Sequence, residues 1–582
     1  MLMDTSRWLR LLAVAALVGL LGCAALWLTP SPELPANPSP DRPKLVVLVV
    51  YDQMRGDYLE RWQALFGEGG FRRLMDEGAW FQNCHLPYAN TVTAAGHASM
   101  LTGCTPSTHG IVANEWYDRA EELDVSSVFT IRYEQLPPPQ PPPVDSATGR
   151  ALRYPSAAPD RLLAPTVGDV LKRASNGQGK VVGLSIKDRA AVLPAGHRSD
   201  ACYWLDSFNG TFITSTYFSS RLHPWAAEFN RLQPKYADQW FGQDWTHLRP
   251  DINYVRHSGI DDQPGEGKGF LQGRVFPHPM TGGAKQPSKA YYNAMYNSPF
   301  GNDLLLEFTR RAIDGEQLGA DEQPDLLCVS FSCTDSVGHT WGPDSQEVLD
   351  VTLRADRVMR GLLDHLDSRV GRGRYVVLLT ADHGVCPLPE VSRAQGREAD
   401  RLSFAKLTTE AADYLSVRFK QPEGSVRWFE GLGHPPFFYL NRPVLAALKL
   451  DVAEVSQVLA RWLQSQTGIQ RAYTRQELEG PRPPEEDERV WKTYHPQRCG
   501  EVLAILKPYY IWEMPFEGGT SHGTPHPYDT HVPLLVFGGG VKPGARPEPV
   551  SAQAIAAIAS QALRIPQPEK SQGTVPAGLW PE

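Results

Sequence analysis

Five short runs of consecutive apolar residues punctuate the chain: K-L-V-V-L-V-V-Y (44–51), V-V-G-L-S-I (181–186), L-L-C-V-S-F (326–331), Y-V-V-L-L-T (375–380) and V-P-L-L-V-F (532–537). A short continuous apolar run, rich in β-branched residues, is the pattern of a strand buried on both faces of a parallel sheet. Between them, the stretch 345–366 places Val348, Val351, Leu353, Val358, Leu362, Leu363 and Leu366 near helical spacing, a single apolar stripe on a polar helix. Strands alternating with helices predict an α/β fold, an αβα sandwich around a mostly parallel central sheet. Ligands of such sheets bind outside the carboxyl ends of the strands, which directs attention to the residues just after each run.

Four of those ends carry a cation or a metal-ligating side chain. Asp52 follows Tyr51, Lys187 and Arg189 follow Ile186, Asp335 and His339 follow Phe331, and Asp382 and His383 follow Thr380. The gaps between runs are long. The segment 136–165 contains P-P-P-Q-P-P-P and reads as an exposed insertion. Residues from about 190 to 299 are rich in Trp, Tyr, Gly and Pro without clear periodicity, and 387–498 forms a block with its own short strand (436–440) and helix (452–464). Both read as insertions covering the sheet edge, the first as a cap over the site.

Composition narrows the class. Of 582 residues, 42% are hydrophobic and 21% charged, enough apolar material for a large core and too little charge for wholesale disorder. A formal net charge of −8 argues against a nucleic-acid binder, whose phosphate contacts need clustered Lys and Arg. At the N-terminus, Arg7 and Arg10 precede an apolar run over 11–28, the order of a secretory leader. L-L-G-C, ending at Cys23, is similar to a bacterial lipobox, although Leu21 stands where a small residue is usual. The run also just reaches the length of a membrane-spanning helix, and simple cleavage is a third route. All three export the remainder of the chain, a Pro-rich spacer over 29–43 and a catalytic domain over 44–582. They place it in the bacterial periplasm or cell envelope, with membrane association only through the anchor or lipid. Seven cysteines remain beyond Cys23 with no C-x-x-C pair, leaving room for one or two disulfides.

Asp52, Asp335, His339, Asp382, His383 and His522 together offer three carboxylates and three imidazoles, a set able to hold divalent metals. His526 and His531 are rivals of His522, which stands in G-T-S-H-G. A nucleophile candidate, Thr93, lies in N-T-V-T-A-A-G-H-A-S-M-L-T-G (90–103), where a helix start would expose free backbone N–H groups to an anion. The alternative for Thr93 is an ordinary N-cap. His97 and His109 read as backbone-orienting residues. C-T-P-S-T (104–108) departs from a sulfatase signature at Thr108, and N-G-Q-G-K (176–180) precedes a strand where a phosphate loop would come after one.

The order of Asp52, T-x-x-G-H (93–97), T-G-x-x-P-x-x-H-G-I-x-x-N (102–114), S-I-K-D-R (185–189), D-S-V-G-H (335–339), T-A-D-H-G (380–384) and G-T-S-H-G (519–523) resembles the alkaline phosphatase superfamily. The likeness is to its bacterial phosphomonoesterase branch with a threonine nucleophile, related to the type I phosphodiesterase/nucleotide pyrophosphatases, and it spans nearly the whole exported chain. The resemblance implies two zinc ions, one on Asp335, His339 and His522 and one on Asp52, Asp382, His383 and the Thr93 oxygen. It also implies that Thr93 becomes a transient phosphothreonine, with Asn114, the Ala94 N–H, Lys187 and Arg189 receiving the phosphoryl oxygens. A monoester carries one more ionisable oxygen than a diester, so the paired cations Lys187 and Arg189 favour an alkaline phosphatase acting on small phosphate esters. A phosphodiesterase or nucleotide pyrophosphatase on the same site is the alternative. A catalytically silent envelope protein binding metal or phosphate is opposed by the completeness of the ligand and nucleophile set.

Overall fold

The computed structural model describes residues 43–139, 154–515 and 517–581. The leader, Cys23, the spacer up to residue 42 and part of the Pro-rich insertion lie outside the described residues. All five apolar runs become strands. β1 (Leu45–Tyr51), β2 (Ala79–His85), β3 (Val181–Ser185), β4 (Ala201–Asp206), β5 (Asp325–Phe331), β6 (Tyr375–Thr380) and β7 (His531–Gly538) form the middle of a 12-stranded sheet in the order β2-β7-β6-β1-β5-β3-β4. From β6 to β4 the strands run parallel. β7 is antiparallel to both β6 and β2. β1, β3, β5 and β6 are buried along their whole length, as strands covered on both faces must be.

Helices supply that cover in two layers. α1 (Thr93–Thr102), α2 (Asp188–Ala195), α3 (Phe300–Glu316), α4 (Cys333–Trp341), α5 (Gln346–Arg369) and α6 (Ala554–Leu563) sort into α1 packed with α2 and α6, and α3 packed with α4 and α5. Ser345 caps α5, its hydroxyl accepting the Val348 N–H at 3.1 Å. Register then sets the site. Tyr51 pairs with Phe331, Val50 with Thr380 and Ser185 with Ser330, so the strands that precede Asp52, Asp335, Asp382 and Lys187 end at one level.

The insertions differ from the expected boundaries. The first does not begin near 190, because α2 and β4 belong to the sheet layer and Thr211–Ser215 pairs with β4. β4 reads A-C-Y-W-L-D, buried throughout but lacking the β-branched run that marks its neighbours. The cap segment is nonetheless beside the site: Glu266, Lys268 and Phe270 face Asp335, His339 and Thr340 across a cavity of about 430 Å³. The second block holds helices Phe404–Arg418 and Val452–Gln464 around a core that includes Leu415, Trp428, Leu445 and Leu459. Its small sheet joins Phe437–Phe438, Val502–Leu506 and Ile469–Thr474, so one strand comes from beyond residue 498. The seven described cysteines are all free and buried, so the one or two disulfides for which the sequence leaves room do not form among them.

A buried acid cluster ties the cap segment to α5. His278 gives its Nδ1 proton to the Gln272 carbonyl at 3.1 Å, and its Nε2 lies 3.0 Å from Glu347 Oε1, both side chains being fully buried. Burial pushes Glu347 well above the usual carboxylate range and brings His278 down to about 4. Glu266 is also buried, with neither carboxyl oxygen hydrogen-bonded. Burial, reinforced by Glu347, raises it to about 10. The folded chain thus keeps a proton that the unfolded chain releases above the ordinary value of 4.5, and stability is lost as pH rises through that window toward 10. Glu266→Gln removes the penalty, so its melting temperature should match the wild type near pH 5 and exceed it increasingly toward pH 9. A constant difference across that range would show a carboxyl that is already ionised and paired.

Candidate active site

Three carboxylates converge beyond the aligned strand ends. Asp52 follows β1 directly, Asp335 lies in the first turn of α4 after β5, and Asp382 follows β6. All three are buried. Three imidazoles complete the cluster, and each is oriented by a backbone carbonyl. His339 Nδ1 donates to Thr520 O at 2.7 Å, His383 Nδ1 to Gly384 O at 2.9 Å and His522 Nδ1 to Thr91 O at 2.8 Å. Because a carbonyl only accepts, each ring carries its proton on Nδ1 and turns Nε2 inward, the arrangement that prepares histidine for a metal.

The inward atoms form two groups. Ligand atoms of Asp335, His339 and His522 lie within 4.8 Å of one another, and so do those of Asp52, Asp335 and His383. The first is the set the resemblance implied. In the second, Asp335 takes a place given to Asp382, whose Oδ2 lies 3.4 Å from His383 Nε2. Among the described residues, Asp52 Oδ1 and Asp382 Oδ2 are buried without a hydrogen-bond donor of their own. Oxygen ligands left bare next to converging imidazole lone pairs fit a divalent cation and are costly otherwise. His526 and His531 are not brought here: their Nε2 atoms bond to Leu506 O and Gln82 O.

Charge in the cluster is unevenly held. Burial, added to by Asp382, raises Asp52 well above the ordinary carboxylate range. Burial works the same way on Asp335, but Lys187 and His339 outweigh it and hold that carboxyl well below the range. His522 is driven well down by burial and by the neighbouring His383 and His339 rings, the His383 ring stacking on it at 3.6 Å. Lys187 sits between the groups, its Nζ 2.8 Å from Asp52 Oδ2 and 2.6 Å from Asp335 Oδ2. Burial disfavours its ammonium, yet those two carboxylates keep it charged well above the usual lysine value.

Thr93 is the first residue of α1, after an extended Val92. It therefore does not cap the helix. Its hydroxyl points to the metal-ligand cluster, 3.4 Å from His383 Nε2. The T-x-x-G-H motif explains how it is held there. A Cβ on Gly96 would lie 2.4 Å from the Asp382 carbonyl oxygen, so only glycine lets α1 approach that backbone. His97 Nδ1 donates to Thr93 O at 2.9 Å and is 3.2 Å from Asp382 Oδ2. His109, by contrast, bonds Ser99 and Ile111 inside the fold.

The implied phosphoryl donors are placed less uniformly. The Ala94 N–H donates to Asn114 Oδ1 at 2.9 Å, which fixes the Asn114 amide at the start of α1. Asn114 and Arg189 both line an open cavity of about 970 Å³ that also contacts Val92. Arg189 is only loosely paired with its neighbour Asp188, NH1 lying 3.8 Å from that carboxylate, and its Nε has no hydrogen-bond partner among the described residues. One residue escaped the sequence reading altogether. Gln53 donates its backbone N–H to Asp382 Oδ1 at 3.0 Å and its side-chain Nε2 to Asp335 Oδ1 at 2.8 Å. Its place directly after Asp52 was the only hint.

Comparison with known proteins gives the chain its family. The family model described as type I phosphodiesterase / nucleotide pyrophosphatase matches residues 46–526. The chain belongs to that family. It is 36% identical over 540 residues to the alkaline phosphatase PhoV of Synechococcus elongatus, covering 92% of each chain. To the alkaline phosphatase PafA of Elizabethkingia meningoseptica it is 36% identical over 535 residues, covering 91% of this chain and 93% of the relative. The crystal structure of wild-type PafA superposes with a TM-score of 0.84 at 34% identity, covering 94% of this chain and all of PafA. Its branch of the family is therefore that of the bacterial alkaline phosphatases.

The close approach at Gly96 gives a direct test of the site. Gly96→Ala should move the start of α1 away from Asp382 and lower phosphatase kcat/KM by about 100-fold, the scale of a misplaced reacting group. The far-ultraviolet circular dichroism should be unchanged. Full activity in a folded variant would refute the view that this contact sets the position of Thr93.

Proposed function

We propose that the protein is a phosphate monoester hydrolase that uses two zinc ions and a transient phosphothreonine at Thr93. The carrying observation is the Thr93 hydroxyl at the start of α1, 3.4 Å from the inward nitrogen of His383 and beside two groups of convergent ligand atoms. Asp335, His339 and His522 would hold one zinc and Asp52, Asp382, His383 and Thr93 the other. When bound, the pair supplies Lewis-acid charge that lowers the hydroxyl's effective pKa and balances both oxygens of an in-line displacement.

The chain's own residues do the rest. Thr93 Oγ attacks phosphorus, a Thr–O–P bond forms and the ester P–O bond breaks, releasing the alcohol. Water then attacks from the vacated side, the Thr–O–P bond breaks, and inorganic phosphate leaves with Thr93 restored. Asn114, anchored through its Oδ1 to the Ala94 N–H, has its amide NH2 to offer a non-bridging oxygen, and Arg189 can grip two oxygens with its planar fork. Lys187 adds positive charge at the carboxylates rather than a free donor in this arrangement. The cavity lined by Asp335 and His339, and not by Thr93, gives the departing alcohol a place.

The Arg189 guanidinium near the phosphoryl group favours the doubly ionised monoester, and the net charge of −8 accords with small phosphate esters as partners and not nucleic acid. The family model's own description keeps phosphodiesterase or nucleotide pyrophosphatase activity as a second reading. The apolar run over 11–28 with Cys23 supports export to the bacterial periplasm or envelope, by lipidation, anchoring or cleavage.

The test compares kcat/KM for para-nitrophenyl phosphate and bis-para-nitrophenyl phosphate at pH 8 with zinc-loaded protein. The monoester should be far faster, and Thr93→Ala should abolish its turnover. Arg189→Ala should cost the monoester about 100- to 1,000-fold, the worth of a preset donor to developing charge, and the diester much less. A faster diester, or an unchanged ratio in Arg189→Ala, would overturn the monoesterase assignment.

A further inference from the structure

Gln53 occupies a backbone position that its residue type does not favour. Its φ is +67°, in the left-handed region where a side chain is strained and glycine is the easy choice. Yet it is only 3% exposed, and both its hydrogen-bonding ends are used on carboxylates. The backbone N–H holds Asp382 and the side-chain amide holds Asp335, which come from different strand ends. The opposite wall is shaped to admit the amide. A Cβ on Gly338 of α4, between Asp335 and His339 in the D-S-V-G-H motif, would lie 2.0 Å from Gln53 Oε1. Strain kept at a functional site, where the unstrained residue lacks the group in question, points to that group as the reason.

We propose that Gln53 is the positioning residue that fixes Asp335 and Asp382 relative to one another, so that the two metal-ligand groups keep a single spacing. Asp335 Oδ2 is taken by Lys187, and Oδ1 must present itself to His339 at 3.2 Å and His522 at 3.9 Å. Without a donor on Oδ1, the carboxylate can rotate about its Cβ–Cγ bond toward Lys187 and leave those imidazoles. The Gln53 amide N–H prevents that rotation, and the backbone N–H of the same residue makes the restraint rigid with respect to Asp382. Outer contacts of this kind orient ligands and tune metal affinity. The inference rests on the two-zinc reading of the site, and it concerns metal affinity rather than the choice of ester.

Three variants of the full chain separate the amide from the backbone. Gln53→Gly relieves the positive φ, keeps the N–H to Asp382 and deletes the amide. Gln53→Asn tolerates the same φ but holds its amide one methylene short of Asp335. Gly338→Ala leaves Gln53 in place and crowds its Oε1. Zinc affinity is measured by competition with a chromogenic chelator, with no substrate present, beside the melting temperature of the metal-free protein. Affinity for one of two zinc ions should fall about 10- to 100-fold in all three variants, the usual cost of losing an outer partner of a ligand. Metal-free Gln53→Gly should melt no lower than the wild type, because glycine suits the backbone. Wild-type affinity for both ions in Gln53→Gly and Gln53→Asn would overturn the proposal. A wild-type chain that binds two zinc ions but cleaves no monoester would sink the functional reading while the affinities still decide the role of Gln53.

Discussion

Three carboxylates brought together out of water are the constraint on which the rest of this structure depends. Asp52, Asp335 and Asp382 meet because β6, β1 and β5 are neighbours whose parallel register ends them at one level. Like charges at such distances cannot all ionise without compensation, and burial makes the cost larger. The chain answers with the Lys187 ammonium against two of the three, and with imidazoles whose protons are pinned outward on carbonyls. The result is a cluster that is electrostatically incomplete by itself and shaped for divalent cations.

The position of Thr93 is a consequence of that cluster. α1 is not an independent element that happens to present a threonine. It is pressed against the Asp382 backbone through Gly96, and His97 joins the Thr93 carbonyl to the vicinity of the Asp382 carboxylate. Asn114 is then referenced to α1 through the Ala94 N–H. Thr93, the clustered carboxylates and imidazoles, and Asn114 thus form one chain of contacts, and displacement at any link reaches the Thr93 hydroxyl.

How much of this was legible in the sequence depended on whether a residue's role is local. β1, β5 and β6 could be read because burial on both faces demands an unbroken apolar run. β2 could not, since A-W-F-Q-N-C-H is fully buried at only four of its seven positions and mixes Gln82 and Asn83 with its apolar residues. β4 was hidden because its burial is achieved with Cys202, Tyr203 and Trp204, without the β-branched run that marks its neighbours. The clustering of carboxylates and imidazoles was legible because strand ends in α/β sheets are where chemistry is expected, and the motif order pointed to the same residues. The contacts of Gln53 were not, because a positive φ and an amide reaching another strand end exist only after folding. The same holds for Lys187: its spacing from Arg189 marked a pair of cations, but not that one of them would be enclosed by carboxylates.

Those two cations are consequently not equivalent, although they are two residues apart. Lys187 is the residue before α2 and turns back to Asp52 and Asp335, while Arg189, in the first turn of that helix, faces the cavity shared with Asn114. In the proposed reaction Arg189 touches the phosphoryl group directly, and Lys187 acts by setting the charge of the carboxylates that would hold both metals. Removing Arg189 deletes a donor and leaves the ligand cluster intact. Removing Lys187 leaves Asp52 and Asp335 facing each other without their common counter-charge, which changes how strongly the cluster attracts cations as well as how it treats an anion. Since both groups act on one small site, their effects on rate should not add. In that proposed reaction, selectivity for the more highly charged ester would reside in the geometry of Arg189, and the balance of charge among the clustered carboxylates in Lys187.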